Sequence, residues 1–542
     1  MKKIIIYFSI IAAMLAAPSC NDFLDKSAED FLSPENYYNT EEDIKNSLGG
    51  VYATLGSNYT YGRYLVIDAV TDDLWYWNQN EANIIDRLCS WNYTSGQAQL
   101  DYIWRRLYEG IERANVLLEN IDKPDMDEDV RNKYIGETRF LRAYYHYVLA
   151  DYWGDVPLKM VSSEKVSNVN VERTPLKDVL NTVVSEMEDV IANNMLETAD
   201  KYDHSVRVTM TVAQGILARI YLKMAGEPLN LGDEMYTKAL YWAQQVKLSG
   251  LHDLNDSYDQ VFINHSQNLF DTQFRESMWE ADFNGNTTTD PNKNDKYSWI
   301  GVTNGIICYD ESLGYSYGYQ RTRLKLWDLF DETDKRKYRT IAPYKYNTTA
   351  GKYGEKQTTF NSIAERCAGK WRRGEETLRP YVKNYNETNF PILRYSDVLL
   401  MIAEAENELN GVTSIALDAL NEVRDRAGIA LYANNDTDPT KIEVTSSDDL
   451  RQIIRDERAR ELAFEGIRKH DLIRWGIFVE EMKAAAAEPF ISSNVGNGRT
   501  QNADERNRMA AVASKMSEKY ILLPIPQKEL SLNNKMKQNK YW

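Results

Sequence analysis

Residues 398–428 have the sequence VLLMIAEAENELNGVTSIALDALNEVRDRAG, which contains the clearest helical pattern of the chain. Apolar side chains recur at helical spacing on both sides of Gly411, at Val398, Ile402, Ala405 and Leu409, and then at Ala416, Ala419, Leu420, Val423 and Ala427. Each stripe must be buried against a neighbour, and glycine commonly ends a helix. The stretch therefore predicts two antiparallel helices. Its length and its alanines are typical of the tetratricopeptide unit of about 34 residues.

The same helical pattern occurs in other parts of the chain. Residues 209–249 predict a second helix pair, with its turn at 226–232. In contrast, residues 56–99, 251–395 and 484–508 have few such stripes and are rich in polar and aromatic side chains. Long irregular segments inside a compact domain are often functional. The pattern predicts a mainly α protein with a tetratricopeptide-like scaffold of helix pairs and a large, loop-rich ligand-binding face.

The domain organisation follows from this distribution of stripes. We expect one domain over residues 36–542. Its helical scaffold would comprise residues 36–250 and 390–542, and its irregular ligand face would comprise residues 251–395.

Composition and charge exclude several classes of function. The chain has 542 residues, with 64 Lys and Arg against 81 Asp and Glu, which gives a formal net charge of -17. Such a charge repels phosphate backbones, so nucleic acid is not an expected partner. Tyrosine is abundant, with 36 residues. Tyrosine offers a flat face and a hydroxyl group at low entropic cost, which suits binding surfaces.

The N-terminal segment predicts the location of the protein. Two lysines precede the apolar run 4–17, and small residues lead from it into Cys20. This order is typical of a secretory signal, and the run is shorter than the ~20 residues that span a bilayer. A cysteine at this position can carry lipid, and two acyl chains anchor a protein stably. We expect a signal peptide at 1–19, lipidation of Cys20 and a polar tether at 20–35.

Catalytic and metal chemistry have little support in the sequence. The chain lacks a phosphate-binding Gly-x-x-x-x-Gly-Lys motif, a His-Glu-x-x-His motif and a Cys-x-x-Cys motif, and it has only five histidines. Residues 314–318 spell Gly-Tyr-Ser-Tyr-Gly, but no alternation of strands and helices surrounds this spelling of a nucleophile elbow. Asp72 and Asp73 are adjacent carboxylates, which alone do not define a glycosidase site. We expect no catalytic residue, no metal and no cofactor.

Two aromatic clusters are the candidate binding residues. Trp75 and Trp77 lie beside Asp73 and Asn78, and a second cluster follows between residues 297 and 319. Sugar rings present apolar faces and a rim of hydroxyl groups, so aromatic platforms with short polar side chains suit them. Alternatively, Trp75 and Trp77 share one face of a strand packed into the core. The candidate ligand-binding residues are Asp73, Trp75, Trp77, Asn78, Trp299, Tyr309, Tyr315 and Tyr317.

A dense run of charges at 455–461 has the sequence RDERARE. Asp456 and Arg460 are four residues apart, and Arg458 and Glu461 are three apart, which places each pair together on a helix. The run predicts a structural network of ion pairs rather than a binding site.

Several long motifs in a fixed order resemble one known family. They are GETRFLRAYY at 136–145, GDVPL at 154–158, RYSDVLLM at 394–401, NEVRDRAG at 421–428, ERARELAFEG at 457–466, DLIRWG at 471–476 and LPIP at 523–526. With the N-terminal lipid signal, they resemble the SusD/RagB family of outer-membrane lipoproteins of the Bacteroidota. The last residues, Lys540 to Trp542, depart from the usual family ending.

The resemblance implies a function and a partner. Family members are lipid-anchored on the cell surface at the outer membrane, where they act as the lid of a SusC-like TonB-dependent transporter. They break no bond, and most bind glycans. We therefore expect an oligosaccharide ligand, a SusC-like transporter as partner and no enzymatic activity. A peptide ligand, as for RagB-like members, is the alternative, and a surface glycoside hydrolase is the third interpretation.

Overall fold

The computed structural model describes residues 37–63, 65, 70–77, 84–163, 170–283, 297–347, 354–358, 360, 362–434, 439–487 and 503–542. Cys20, the expected signal peptide and tether, and Asn78 lie outside these residues.

Helices dominate the described chain, and the prediction of a mainly helical fold is confirmed. The helices are α1 (Glu41–Tyr52), α2 (Ile84–Cys89), α3 (Ala98–Asn120), α4 (Glu128–Trp153), α5 (Leu176–Ala192), α6 (Met210–Ala225), α7 (Asp233–Leu248), α8 (Tyr258–Gln267), α9 (Ile300–Thr303), α10 (Leu324–Leu329), α11 (Lys337–Thr340), α12 (Tyr395–Asn410), α13 (Ser414–Ala427), α14 (Ser447–Leu462), α15 (Arg468–Arg474), α16 (Phe478–Ala487), α17 (Ala503–Lys515) and α18 (Gln527–Leu532). Within the described ranges, none of these helices is long and apolar enough to cross a membrane.

Consecutive helices form packed pairs, as the apolar stripes predict. α6 packs on α7, α12 packs on α13, and α12 also contacts α7 and α14. The Thr413 hydroxyl accepts a hydrogen bond from the backbone N–H of Ala416 and so caps the start of α13. Gly411 and Gly428 end α12 and α13 with φ angles of 74° and 72°. These left-handed conformations favour glycine and let the chain reverse within a few residues.

The strands are short and lie outside the long helices. They are β1 (Leu74–Tyr76), β2 (Ser277–Ala281), β3 (Gln320–Thr322), β4 (Lys345–Asn347), β5 (Gly354–Thr358), β6 (Phe390–Arg394), β7 (Tyr432–Ala433) and β8 (Ile442–Glu443). They form two-stranded sheets, β1 with β3, β2 with β6, β4 with β5 and β7 with β8. β6 leads directly into α12, so the β2–β6 sheet connects the scaffold to the segment between α7 and α12.

A buried ionic centre holds β2, β6 and α14 together. Arg394 at the end of β6 donates to Glu276 (2.9 Å), to Glu461 (2.8 Å) and to Glu465 (2.7 and 2.9 Å). All four side chains are buried. Because a buried charge is stable only when it is paired and fully hydrogen-bonded, this centre restricts how the helices and the strand can pack.

The charged run 455–461 is structural, as predicted, although its partners differ from the expected ones. Arg458 donates to Asp397 (2.8 Å) and to Asp471 (2.8 Å), and Glu461 belongs to the ionic centre. The two pairs expected within the helix are absent from the ion pairs of the described residues. α14 is packed against other helices, so most of its charged side chains meet partners from outside the helix.

Two buried histidines make the stability depend on pH. Nε2 of His146 accepts a hydrogen bond from the Lys159 N–H (3.1 Å), so Nδ1 carries the proton and donates to the Arg142 carbonyl (2.9 Å). Burial lowers the pKa of His146 from 6.5 to about 4, and burial also lowers the pKa of His252 to about 4. Both rings are therefore neutral in the folded protein at pH 5 and protonated in the unfolded chain.

We expect the free energy of unfolding to fall as the pH falls from 6.5 to 4, because the unfolded chain takes up protons that the fold excludes. Each histidine contributes at most about 1.4 kcal/mol per pH unit, and the loss stops below its folded pKa. Urea unfolding at pH 7, 6, 5 and 4.5 measures this slope. His146→Gln should make the slope shallower by the share of one histidine. An unchanged slope in that variant would contradict the assignment.

Candidate ligand-binding face

The pairing of β1 with β3 brings together two distant parts of the chain. Trp75 lies opposite Arg321 in the antiparallel register, and the Trp77 N–H donates to the Tyr319 carbonyl (2.9 Å). The residues after β1 therefore lie beside the tyrosine-rich segment that leads into β3. Two of the predicted aromatic stretches meet here.

The tyrosine rings before β3 contact one another in series. Tyr309 lies 5.6 Å from Tyr315, Tyr315 lies 4.9 Å from Tyr317, and Tyr317 is stacked on Tyr319 at 4.7 Å with an angle of 16° between the rings. The rings of Tyr309, Tyr315 and Tyr317 are partly exposed. We call Trp77, Tyr309, Tyr315, Tyr317 and Tyr319 the aromatic face.

Backbone hydrogen bonds hold the tyrosine segment in place. Ser316 and Cys308 exchange a pair of these bonds (2.7 and 3.0 Å). The N–H groups of Tyr317 and Tyr319 donate to carbonyls of α9 at 2.9 Å. Gly318 has a φ of 57°, and a Cβ there would lie 2.4 Å from the Ile307 side chain. The turn between the two stacked tyrosines thus requires glycine.

The guanidinium group of Arg321 lies over the ring of Trp77. The guanidinium carbon of Arg321 lies 4.6 Å from the centre of the Trp77 ring and 5.6 Å from that of Trp75. Trp77 is partly buried, whereas Trp75 is only 1% exposed. Sequence reasoning missed Arg321, because only its register opposite Trp75 in a long-range strand pair places it at the face.

Trp75 and Asp73 are core residues. The Trp75 indole N–H donates to the Ala364 carbonyl (3.0 Å), as expected for the alternative in which this tryptophan packs inside. Asp73 is 1% exposed and accepts a hydrogen bond from the Thr71 hydroxyl (2.7 Å). Burial raises the pKa of Asp73, and the neighbouring Asp72 raises it further. In this conformation neither side chain can stack on a ligand or bind its hydroxyl groups, which corrects the expectation for both residues.

Trp299 belongs to a separate aromatic group. The guanidinium of Arg63 lies 3.7 Å from the centre of the Trp299 ring, and Tyr385 lies edge-on to it at 6.0 Å. Tyr297 in turn contacts Tyr385 at 4.1 Å. Among the ring contacts of the described residues, none joins this group to the aromatic face. Tyr385 carries no local sequence signal, because only the folded chain brings it to Trp299.

The hydrolase interpretation has no support in the geometry around Ser316. Its side chain is 1% exposed, and its hydroxyl donates to the Val302 carbonyl (3.3 Å) instead of facing a histidine. In the part of the chain that the structure describes, no three or more His, Cys, Asp or Glu side chains are grouped to hold a metal ion.

A cavity of about 90 Å³ lies inside the helical scaffold. Asp151 at its wall pairs with Lys223 (2.9 Å) and with His470 (2.7 Å). Burial acts to raise the pKa of Asp151, but the interactions with His470 and Lys223 hold it well below its usual range. None of the predicted binding residues lines this cavity. Its charged walls are paired with one another, as in the ionic centre, and they serve the scaffold.

The fold and this face define a class of protein, a scaffold of packed helix pairs that carries an irregular aromatic surface. The chain belongs to the SusD family, whose model matches residues 269–542. A second family model, described as starch-binding associating with outer membrane, matches residues 22–222.

Individual relatives agree with this assignment. The chain is 25% identical to the SusD-like protein P25 of Formosa agariphila, over 98% of this chain and 97% of the relative. The crystal structure of a SusD homolog from Bacteroides thetaiotaomicron superposes with a TM-score of 0.81 at 25% identity, over 94% of this chain and 98% of the other. Surface glycan-binding protein A from the same species, in complex with laminarihexaose, has a TM-score of 0.68 at 21% identity over 93% of this chain and 100% of the other. This last likeness concerns the fold alone.

Proposed function

We propose that this chain is a cell-surface lipoprotein that binds oligosaccharides through its aromatic face and acts as the lid of a SusC-like TonB-dependent transporter. Lipid on Cys20 would anchor it to the outer membrane. Membership of the SusD family supports the proposal, as does the description of the N-terminal family model as starch-binding and associated with the outer membrane. The structural neighbour that binds laminarihexaose supports a glycan ligand.

The observation that carries the proposal is the series of partly exposed tyrosine rings beside Trp77. Flat rings match the apolar faces of sugars, and tyrosine hydroxyls can donate to and accept from sugar hydroxyls. A surface of this kind binds by stacking and leaves the ligand intact. The ligand would lie along Tyr309, Tyr315 and Tyr317, with Trp77 at one side.

Calorimetry with the mature chain (residues 21–542, without lipid) tests the proposal. The titrants are plant, host and microbial polysaccharides, their oligosaccharides, and peptide digests. We expect heat from at least one glycan and none from the peptides. Heat from the peptides alone would overturn the proposal in favour of peptide capture. Turnover of a glycan that is lost on substitution of a carboxylate would overturn it in favour of a hydrolase.

Trp77→Ala should weaken binding of that glycan by about 5- to 150-fold, since loss of a stacking platform costs on the order of 1–3 kcal/mol. Trp77→Phe keeps an aromatic ring and should retain most of the affinity. Tyr241, which is 50% exposed on α7, provides the matched control. Tyr241→Ala removes an exposed ring that is distant in sequence from the aromatic face, and it should leave the affinity for the glycan unchanged. Equal affinities for all four proteins, with equal melting temperatures, would exclude Trp77 from the site.

A further inference from the structure

Arg321 differs from the other buried arginines of this protein. It lies in β3 with only 5% of its surface exposed. Arg336, Arg394 and Arg458 are also buried, and each of them forms close ion pairs with acidic side chains. No described carboxylate lies within ion-pairing distance of Arg321. Its only side-chain hydrogen bond among the described residues is a long one, from Nε to the Gly318 carbonyl (3.4 Å).

The terminal nitrogens of Arg321 therefore have no hydrogen-bond acceptor among the described residues. A guanidinium has five N–H donors, and leaving them unpaired in a buried place is costly. The indole rings of Trp77 and Trp75 compensate only in part, through the negative charge of their faces. Burial lowers the pKa of Arg321, as expected for a charge that has lost water without gaining a partner.

Arg321 also lies at one end of the tyrosine series. Arg321 follows Tyr319 by two residues, and its charge opposes the increase that burial causes in the pKa of Tyr309. Within the series, Nζ of Lys383 lies 4.6 Å from the centre of the Tyr315 ring. Lys383 has a distant partner, Glu311 at 3.6 Å, and both are exposed. Two cations thus lie beside the tyrosines, and among the described residues only the buried one, Arg321, has no ion-pair partner.

We infer that Arg321, held on the ring of Trp77, is an anion subsite within the aromatic face, and that the oligosaccharide bound there carries an acidic group. The inference rests on the proposed function and specifies the ligand as an acidic glycan. A carboxylate or a sulfate ester can accept two parallel hydrogen bonds from one guanidinium, and such charge-assisted bonds are strong. The neighbouring tyrosines would stack on the sugar that bears the group.

The negative net charge of the protein limits the ways in which it could bind an acidic glycan. A chain with a formal charge of -17 repels an acidic polymer at long range. Affinity for such a polymer must then come from close contacts with fixed cations. A buried guanidinium that faces aromatic platforms, without a carboxylate of its own, provides such a contact.

The test compares matched acidic and neutral glycans. The probes are oligogalacturonate and its carboxyl-reduced form, and a sulfated galactan oligosaccharide and its desulfated form. We expect the wild-type chain to bind one acidic probe at least ten-fold more tightly than its neutral counterpart, and the two pairs distinguish a carboxylate from a sulfate. Salt screens both the attraction to Arg321 and the repulsion by the net charge, so all four probes are compared at one fixed salt concentration.

Arg321→Gln should reduce the affinity for the acidic probe to that of its neutral counterpart. Arg321→Lys keeps the charge without the bidentate geometry and should be intermediate. Arg366→Gln is the matched control. Arg366 also lies over a tryptophan, 4.8 Å from the centre of the Trp327 ring, and it donates to the Ala342 carbonyl. This variant should bind like wild type.

Each contrary outcome has a distinct meaning. Equal wild-type affinity for acidic and neutral probes, or equal weakening of both by Arg321→Gln, would overturn the anion subsite and leave oligosaccharide binding intact. Absence of binding to every glycan, with binding to peptides, would overturn the proposed function as well. If Arg321→Gln does not fold, the preference of the wild-type chain for acidic over neutral probes and the loss of that preference in Arg321→Lys decide the question.

Discussion

Replacement of Arg394 by methionine is expected to lower the free energy of unfolding by about 3–5 kcal/mol, because it leaves three buried glutamates with one cation fewer to pair with. Arg394 donates to Glu276, Glu461 and Glu465, and all four side chains are buried. Methionine fills much of the space but donates no hydrogen bond. Urea unfolding of wild type and variant at pH 7 measures the difference.

A surface pair provides the control for Arg394. Arg105 pairs with Asp101 at 2.9 Å, four residues away on α3, and its side chain is 45% exposed. Arg105→Met should change the free energy of unfolding by less than about 0.5 kcal/mol, because water and salt screen an exposed pair. The same glutamates also pair with Arg336, Lys370 and Arg426. A loss below about 1 kcal/mol for Arg394→Met would mean that these cations compensate for Arg394.

Gly136→Ala is expected to destabilise the protein by about 2 kcal/mol or more, although alanine is a better helix former than glycine. A Cβ at position 136, within α4, would lie 2.0 Å from the Met195 carbonyl oxygen and 2.6 Å from the Met195 Cβ. Since neither atom lies at the end of a flexible side chain, α4 or the backbone at Met195 must shift. Overpacking of this kind costs about 1–3 kcal/mol, and more when backbone must move.

The control for Gly136 has an effect of opposite sign. Gly49 lies within α1, and a Cβ there would meet no atom within 4 Å. Gly49→Ala should stabilise the protein by about 0.5–1 kcal/mol, through the loss of backbone freedom in the unfolded chain. Melting temperatures and urea unfolding of both variants measure the contrast. A stabilising Gly136→Ala would contradict the close approach of α4 to Met195.

The helical scaffold could be predicted from sequence because its determinants are local. The stripes around Gly411 and the cap at Thr413 lie within a few turns of the residues that they organise. The charged run of α14 was also recognised as structural. Its partners were not, because Asp397 and Asp471 meet Arg458 only after three helices have packed.

The aromatic face could be predicted only in part. Clusters of tyrosine and tryptophan mark the two segments that β1 and β3 bring together, where the Trp77 N–H donates to the Tyr319 carbonyl. The sequence alone does not show that Trp75 points into the core, because two tryptophans on one strand face give the same pattern whether that face is buried or exposed. Arg321 and Tyr385 depend on contacts between distant segments, and no periodicity reports such contacts.

Main-chain hydrogen bonds hold the tyrosine segment in place, so its side chains can change while its backbone conformation is kept. The hydrogen bonds that fix residues 315–319 involve the N–H and C=O groups of Ser316, Tyr317 and Tyr319, which every residue except proline provides. The rings at these positions can thus be exchanged while Gly314, Gly318 and the helices behind them stay the same. The segment can therefore carry different side chains on the same backbone. Grafting the corresponding segment of a relative onto this scaffold should transfer the ligand preference of that relative.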